Sequence, residues 1–229
     1  MSEKPILFSA PMVRAILAGT KTQTRRLVKP QPSIELLADY AEIRAMRGID
    51  RTDAQMLSDC LPCPYGTPGT RLWVRETWMP DAPRNGEWND TSFYGCGMSP
   101  LSDIPECYRK PWHCLYRATY EGCELVGWKP SIHMPRWASR ITLEITDVRV
   151  ERLQAISEAD AMAEGAQLMD VPYAGEPYNR WSMDSATRSG ECLHTARMAF
   201  ANYFNKINGP GSWEADPWVW VVEFRRVEP

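Results

Sequence analysis

The stretch Leu17-Ala18-Gly19-Thr20-Lys21-Thr22-Gln23-Thr24-Arg25-Arg26 places an amine, three hydroxyls and two guanidinium groups close together in the chain. A helix ending at Gly19, a forced turn and an outgoing strand would bring Lys21, Thr24 and Arg26 to one rim. The two-residue alternation of a strand would set Thr22, Thr24 and Arg26 on one face. The plainer alternative is an edge strand whose charges stand in water.

Other chemistries fit the sequence poorly. Gly19-Thr20-Lys21-Thr22 has the ending of a P-loop, but the upstream glycine is missing and the segment closes a helix instead of opening one. Cys60-Leu61-Pro62-Cys63 is a lone C-x2-C with no second pair at finger spacing, so it reads as a loop feature more readily than as a zinc site. His113, His133 and His194 are scattered, and no G-x-S-x-G elbow supports a serine triad. No metal or cofactor is therefore expected. A binding role without catalysis is the rival class. Arg25, Arg26, Arg71, Arg75, Arg136 and Arg140, with Trp73, Trp78, Trp112, Trp137 and Trp181, would form a basic, aromatic cleft in which bases stack and arginines anchor phosphates. The loop His133-Met134-Pro135-Arg136-Trp137 is the strongest candidate to line it, whereas Trp73, Trp218 and Trp220 are expected in the core.

These residues need elements to position them. Ile6 to Phe8 reads as a strand. A helix follows from Pro11 to Leu17, with Val13, Ile16 and Leu17 inward and Gly19 as a left-handed cap. The Thr-rich run from Thr20 to Val28 reads as a strand stopped by Pro30 and Pro32. Residues 34–47 carry a modest helical period, with polar loop beyond them. Turn chemistry at Pro64–Gly69 leads into a strand from Arg71 to Trp78, and Cys114–Tyr120 reads as another. In Ser139–Arg152 the inward set passes from Ile141, Leu143 and Ile145 to Val148 and Val150, which predicts a bulge near Asp147. Ser157 with Asp160 forms a capping box, and Gly165 ends the helix it opens. Leu193, Ala196, Phe200, Tyr203, Phe204 and Ile207 define an amphipathic helix. Trp218, Trp220, Val222 and Phe224 mark one face of a final strand. Strands separated by single helices without βαβ regularity point to a small barrel or a strongly bent sheet.

The chain of 229 residues has 26 Lys plus Arg against 29 Asp plus Glu, a net charge of −3, which excludes a basic wrapper and an acidic disordered tail. Apolar residues make up 44%, enough for a real core, and 19 prolines cut the chain into short elements. The start lacks an apolar leader segment, and no run reaches the roughly 18 apolar residues of a membrane span. A cytoplasmic setting with the seven cysteines reduced, and no membrane partner, is the expectation.

The segment from Gly19 to Arg26 has the form G-x-K-x-x-T-x-R. With the strand Trp73–Trp78, the blocks Ser139–Gly165 and the closing Trp218–Phe224, it resembles the ASCH-domain family of the PUA-like superfold, in the long form carried by bacteriophages and prophages. The resemblance implies an α+β fold: one domain over 1–229, a small PUA-like mixed β-barrel flanked by helices, with long insertions near 31–64, 79–112 and 166–191. It implies a cleft for a modified pyrimidine nucleoside or single-stranded RNA, in a host cytoplasm if phage-encoded. The short bacterial ASCH proteins similar to it hydrolyse the amide of N4-acetylcytidine with a Lys, a Thr three residues on and a Glu in a later helix. Lys21, Thr24 and Glu164 occupy those positions, and Arg26 matches a basic residue after the Thr. Arg75, Glu76, Trp78, His133, Arg136 and Trp137 are expected to contact substrate. In such a trio Thr24 would attack with Lys21 as base, and Glu164 would orient Lys21 or protonate the departing cytosine amine. Because a carboxylate beside Lys21 raises its pKa, the alternative is Lys21 as an electrophile with Glu164 activating water. Where family members often have Gly-Asp before the second strand, this chain has Gly69-Thr70. Hydrolysis of an N4-acyl amide, non-catalytic reading of RNA or a modified base, and a phage interaction role with an inactive site are the three readings open from sequence.

Overall fold

The computed structural model describes residues 3–81, 101–122, 127–169, 180–184 and 193–227. Its main sheet comprises β1 (Glu3–Leu7), β2 (Gln23–Leu27), β3 (Arg71–Arg75), β6 (Thr142–Arg152) and β9 (Trp218–Val227), in the order β1-β3-β6-β9-β2. β1 runs parallel to β3, and every other pairing is antiparallel. Two small ladders stand apart: β4 (Trp78–Pro80) with β5 (Cys114–Tyr116), and β7 (Gln167–Leu168) with β8 (Trp181–Ser182). The described residues also hold short 3-10 turns and five α-helices: α1 (Ala10–Leu17), α2 (Ile34–Arg47), α3 (Asp53–Cys60), α4 (Glu158–Ala163) and α5 (Ala196–Asn208). The class is mixed α+β.

β9 organises the core because both of its faces are covered, as the near-continuous apolar run from Trp218 to Val222 requires. Trp218, Trp220, Val222 and Phe224 pack with Val13 and Ile16 of α1, Tyr40 of α2 and Leu57 of α3. Val219 and Val221 face the other way, against Ala161 of α4 and Phe200, Tyr203 and Phe204 of α5. Beside β9, the register of β6 slips between Ile145 and Asp147. The extra residue moves the inward set from Leu143 and Ile145 to Val150, so the bulge lies where the sequence pattern put it.

Some boundaries differ from expectation. The strand after α1 begins only at Gln23, because the N–H groups of Thr20 and Lys21 both donate to Ala15 O and close the helix end. The strand from Arg71 breaks at Glu76, and Trp78 starts β4 in a different ladder. α2 covers the 34–47 stretch expected to be helical, and α3 stands where polar loop was expected, with Leu57 fully buried against the main core. At the start of α3, Thr52 and Gln55 form a reciprocal capping box. Much of the insertions expected at 79–112 and 166–191 lies outside the described residues.

The sheet does not close into a barrel among the described residues. β1 and β2 are its two rims and share no ladder. Their link is the helix α1 and one side chain, as Arg26 of β2 donates to the carbonyl of Leu7 in β1.

Candidate functional site

Two glycines set the geometry around Lys21. Gly19, at φ +76°, lets the chain turn sharply off α1. Gly165, at φ +105°, follows α4, and a Cβ there would lie 3.1 Å from Cβ of Ala15 and 3.6 Å from that of Lys21. That close approach brings the end of α4 against the end of α1. The N–H of Thr22 donates to Ala163 O across the junction. Residues 143 apart in sequence thereby become neighbours.

Lys21 Nζ donates to Glu164 Oε2 at 2.7 Å, to Glu164 O at 2.8 Å and to Gln23 O at 2.8 Å. All three ammonium protons are engaged, and the side chain is 0% exposed. Burial draws the Lys21 pKa below its ordinary value. The Glu164 carboxylate opposes the shift, and the nearby Arg26 and Arg25 charges add to it. The other Glu164 oxygen, Oε1, lies 3.4 Å from Nη1 of Arg25, whose Nη2 meets Glu151 at 3.1 Å and Asp160 at 3.4 Å. Gln23 Nε2 donates to the carbonyl of Asp160 at 2.9 Å. The start and the end of α4 are therefore both tied to β2 through charge.

The site opens onto a cavity of about 1020 Å³. Thr24, Arg25, Arg26, Leu27, Val28 and Lys29 line it in unbroken sequence, together with Glu164. One wall is Phe200, Tyr203 and Phe204 of α5, and the other is Leu36, Leu61 and Tyr65. Lys21 lies behind this lining. It holds Glu164 in place and does not reach the cavity itself. Thr24, Arg25, Arg26 and the fixed Glu164 thus share the edge of a largely apolar chamber. Tyr203 also shares a 2.5 Å hydrogen bond with Ser9 Oγ, and burial raises its phenol pKa.

Of the expected site residues, Lys21, Thr24, Arg26 and Glu164 converge, and the other six do not line this cavity. Trp78 is fully buried in a third core cluster, edge-on to Trp137 at 5.4 Å, and so cannot stack on a ligand. Glu76, also buried, is held by Arg140 through two bonds of 2.9 and 3.0 Å. Burial raises its carboxyl pKa, and Arg140 draws it partly back. Arg75 donates to the carbonyl of Ile132 and sits over the Trp73 ring, which leaves Trp73 half-buried where a core position was expected. Arg136 pairs with Glu3 at 2.8 Å, and His133 is exposed. Trp218 and Trp220 are in the core as expected. Cys60 is exposed and Cys63 half-buried, and no described residues form a group of three metal-ligand types.

The sequence reading missed the cavity walls. Phe200, Tyr203 and Phe204 were read as the buried stripe of a helix, which they are, but the same stripe also faces the cavity. An amphipathic helix gives no signal for that second duty.

No protein-family model matches the chain, and neither a curated protein nor a solved structure matches it.

Proposed function

We propose that the chain is a PUA-like ASCH protein whose sheet is an opened barrel, and that it hydrolyses the N4-acyl amide of a modified cytidine. One observation carries this reading. Thr24 and Glu164, from distant parts of the sequence, line the same cavity, and a buried lysine fixes the carboxylate. Because Lys21 has no proton-accepting capacity left in this geometry, the water route fits better than attack by Thr24 with Lys21 as base. Glu164 accepts a proton from water as its oxygen bonds to the acyl carbon. The carbonyl oxygen becomes an oxyanion, met by the Thr24 hydroxyl and the charge of Arg26. Collapse breaks the C–N bond, and Glu164 returns the proton to the departing N4. The products are a carboxylic acid and cytidine. Lys21 is a positioning residue that holds the carboxylate in place.

The test is incubation with N4-acetylcytidine and chromatographic detection of cytidine, with Glu164→Gln and Lys21→Ala as controls. Cytidine from the wild type and none from Glu164→Gln is the expected result. Folded wild-type protein that yields no cytidine overturns the hydrolase reading. The cavity volume favours a second reading, since about 1020 Å³ is at the top of the range for small-ligand sites, roughly 300–1,000 Å³. Binding of single-stranded RNA without turnover would support a base-reading module instead.

A further inference from the structure

We infer that the cavity reads its ligand through the main chain of β2, whose unpaired Arg25 and Leu27 groups accept the hydrogen-bonding edge of a single planar heterocycle. The inference rests on the reading of the cavity as a nucleobase site. β2 is a rim strand paired only with β9. At one end of this pairing Phe224 N–H donates to Thr22 O, and at the other Val28 N–H donates to Trp218 O. In an antiparallel pair such bonds involve every second residue. Thr24 and Arg26 therefore bond to β9, and Gln23, Arg25 and Leu27 turn their N–H and C=O groups away from it. The Gln23 carbonyl is already taken by Lys21 Nζ. No described residue bonds to the outward groups of Arg25 and Leu27.

The cavity meets this rim edge-on. A cavity above one face of a strand would be lined by alternate residues, but here consecutive residues from Thr24 to Lys29 line it. Its walls come from both sides of the sheet, with Trp220 from one core and Phe200 and Phe204 from the other. A flat ring lying in the plane of the sheet would have its edge against the strand and apolar side chains above and below. The N–H and C=O of one extended residue point the same way, and so match a neighbouring acceptor and donor such as N3 and N4–H of cytosine.

The length of the free edge separates this ligand from a peptide. Strand addition needs a run of free groups, since strands span about 3–10 residues. Here Lys21 closes the run on one side, and β2 ends at Leu27 on the other, with Pro30 and Pro32 beyond. The two open residues span about 7 Å at the rise of a strand.

The test compares the binding of three nucleosides by calorimetry. Cytidine and 5-methylcytidine keep the edge free, whereas N4,N4-dimethylcytidine blocks it without a change in charge. The expected result is equal binding of the first two and at least tenfold weaker binding of the third. Leucic acid in place of Leu27 keeps the side chain and replaces the N–H with an ester oxygen. It is expected to weaken cytidine binding about two- to tenfold, the cost of one neutral hydrogen bond. If cytidine binds and edge blocking makes no difference, the main-chain mode is overturned and the nucleobase site stands. If no nucleoside binds, both are overturned. Displacement of cytidine by an extended peptide of alternating Val and Thr overturns the inference in favour of strand addition.

Discussion

Replacing Lys21 with Met would leave the Glu164 carboxylate, 1% exposed, with only Arg25 at 3.4 Å as a charged partner. Breaking a buried pair by removing one partner costs about 3–5 kcal/mol, because the remaining charge is stranded away from water. Arg25 still offsets part of that charge, so the loss for Lys21→Met should be near the lower end, about 3 kcal/mol. For a chain of this size each kcal/mol shifts Tm by about 2–4 °C, giving a fall of about 6–12 °C. Glu164→Leu strands the lysine with two carbonyl acceptors and no counter-charge, and should cost about 3–5 kcal/mol. The double variant removes both charges, while Arg25 keeps Glu151 and Asp160 as partners. It should lie within about 1–2 kcal/mol of the wild type, because replacing a whole buried pair by apolar groups is often close to neutral. Urea unfolding followed by tryptophan fluorescence measures all four proteins. The singles should couple by at least about 3 kcal/mol. If the two losses add within about 0.5 kcal/mol, the residues are not one electrostatic unit and the account of the site fails. A stable double variant that makes no cytidine would also separate the scaffold from the chemistry.

Two further outcomes follow from the packing. Burial raises the Asp160 carboxyl pKa, but hydrogen bonds from Ser157, with help from Arg25 and Gln23, hold it below the ordinary 3.8. Its stabilisation is therefore present above pH 3.8 and lost as pH falls through the lower folded value, so the stability gap between the wild type and Asp160→Asn should shrink in strong acid. A gap that stays constant down the acid limb of a thermal-melt series would contradict this. Trp78→Ala should cost about 3–5 kcal/mol in urea unfolding and leave nucleoside affinity unchanged, since the ring is core. Lost affinity with intact stability would return Trp78 to the binding site.

What could be read from the sequence was local. The capping box of Ser157 and Asp160, the turn at Gly19, the bulge before Asp147 and the alternation of β9 each depend on a few adjacent residues, and each appears in the structure. α3 was readable in principle from Thr52-Asp53-Ala54-Gln55 followed by Met56 and Leu57, but the polar residues around it masked the signal. In the candidate site, the convergence of residue 164 on residue 21 came from resemblance alone, since no local pattern foretells a contact across 143 residues. Glu76, Trp78, Arg136 and Trp137 are of chemical types that serve equally in binding sites and in cores. Tertiary partners decide what such types do: Arg140 holds Glu76, Glu3 holds Arg136, and Trp137 packs on Trp78.

The open seam between β1 and β2 bears on how the protein behaves in company. A bare sheet margin invites another molecule to dock and extend the ladder, the first step towards fibrous aggregates. Here β1 is short and carries Lys4 and Pro5, and proline lacks the donor that a growing ladder needs. β2 lines a recess along its free margin, and only Arg25 and Leu27 keep open groups there. Among the described residues, the gap between β1 and β2 thus separates two rims that are each poorly suited to extending the ladder.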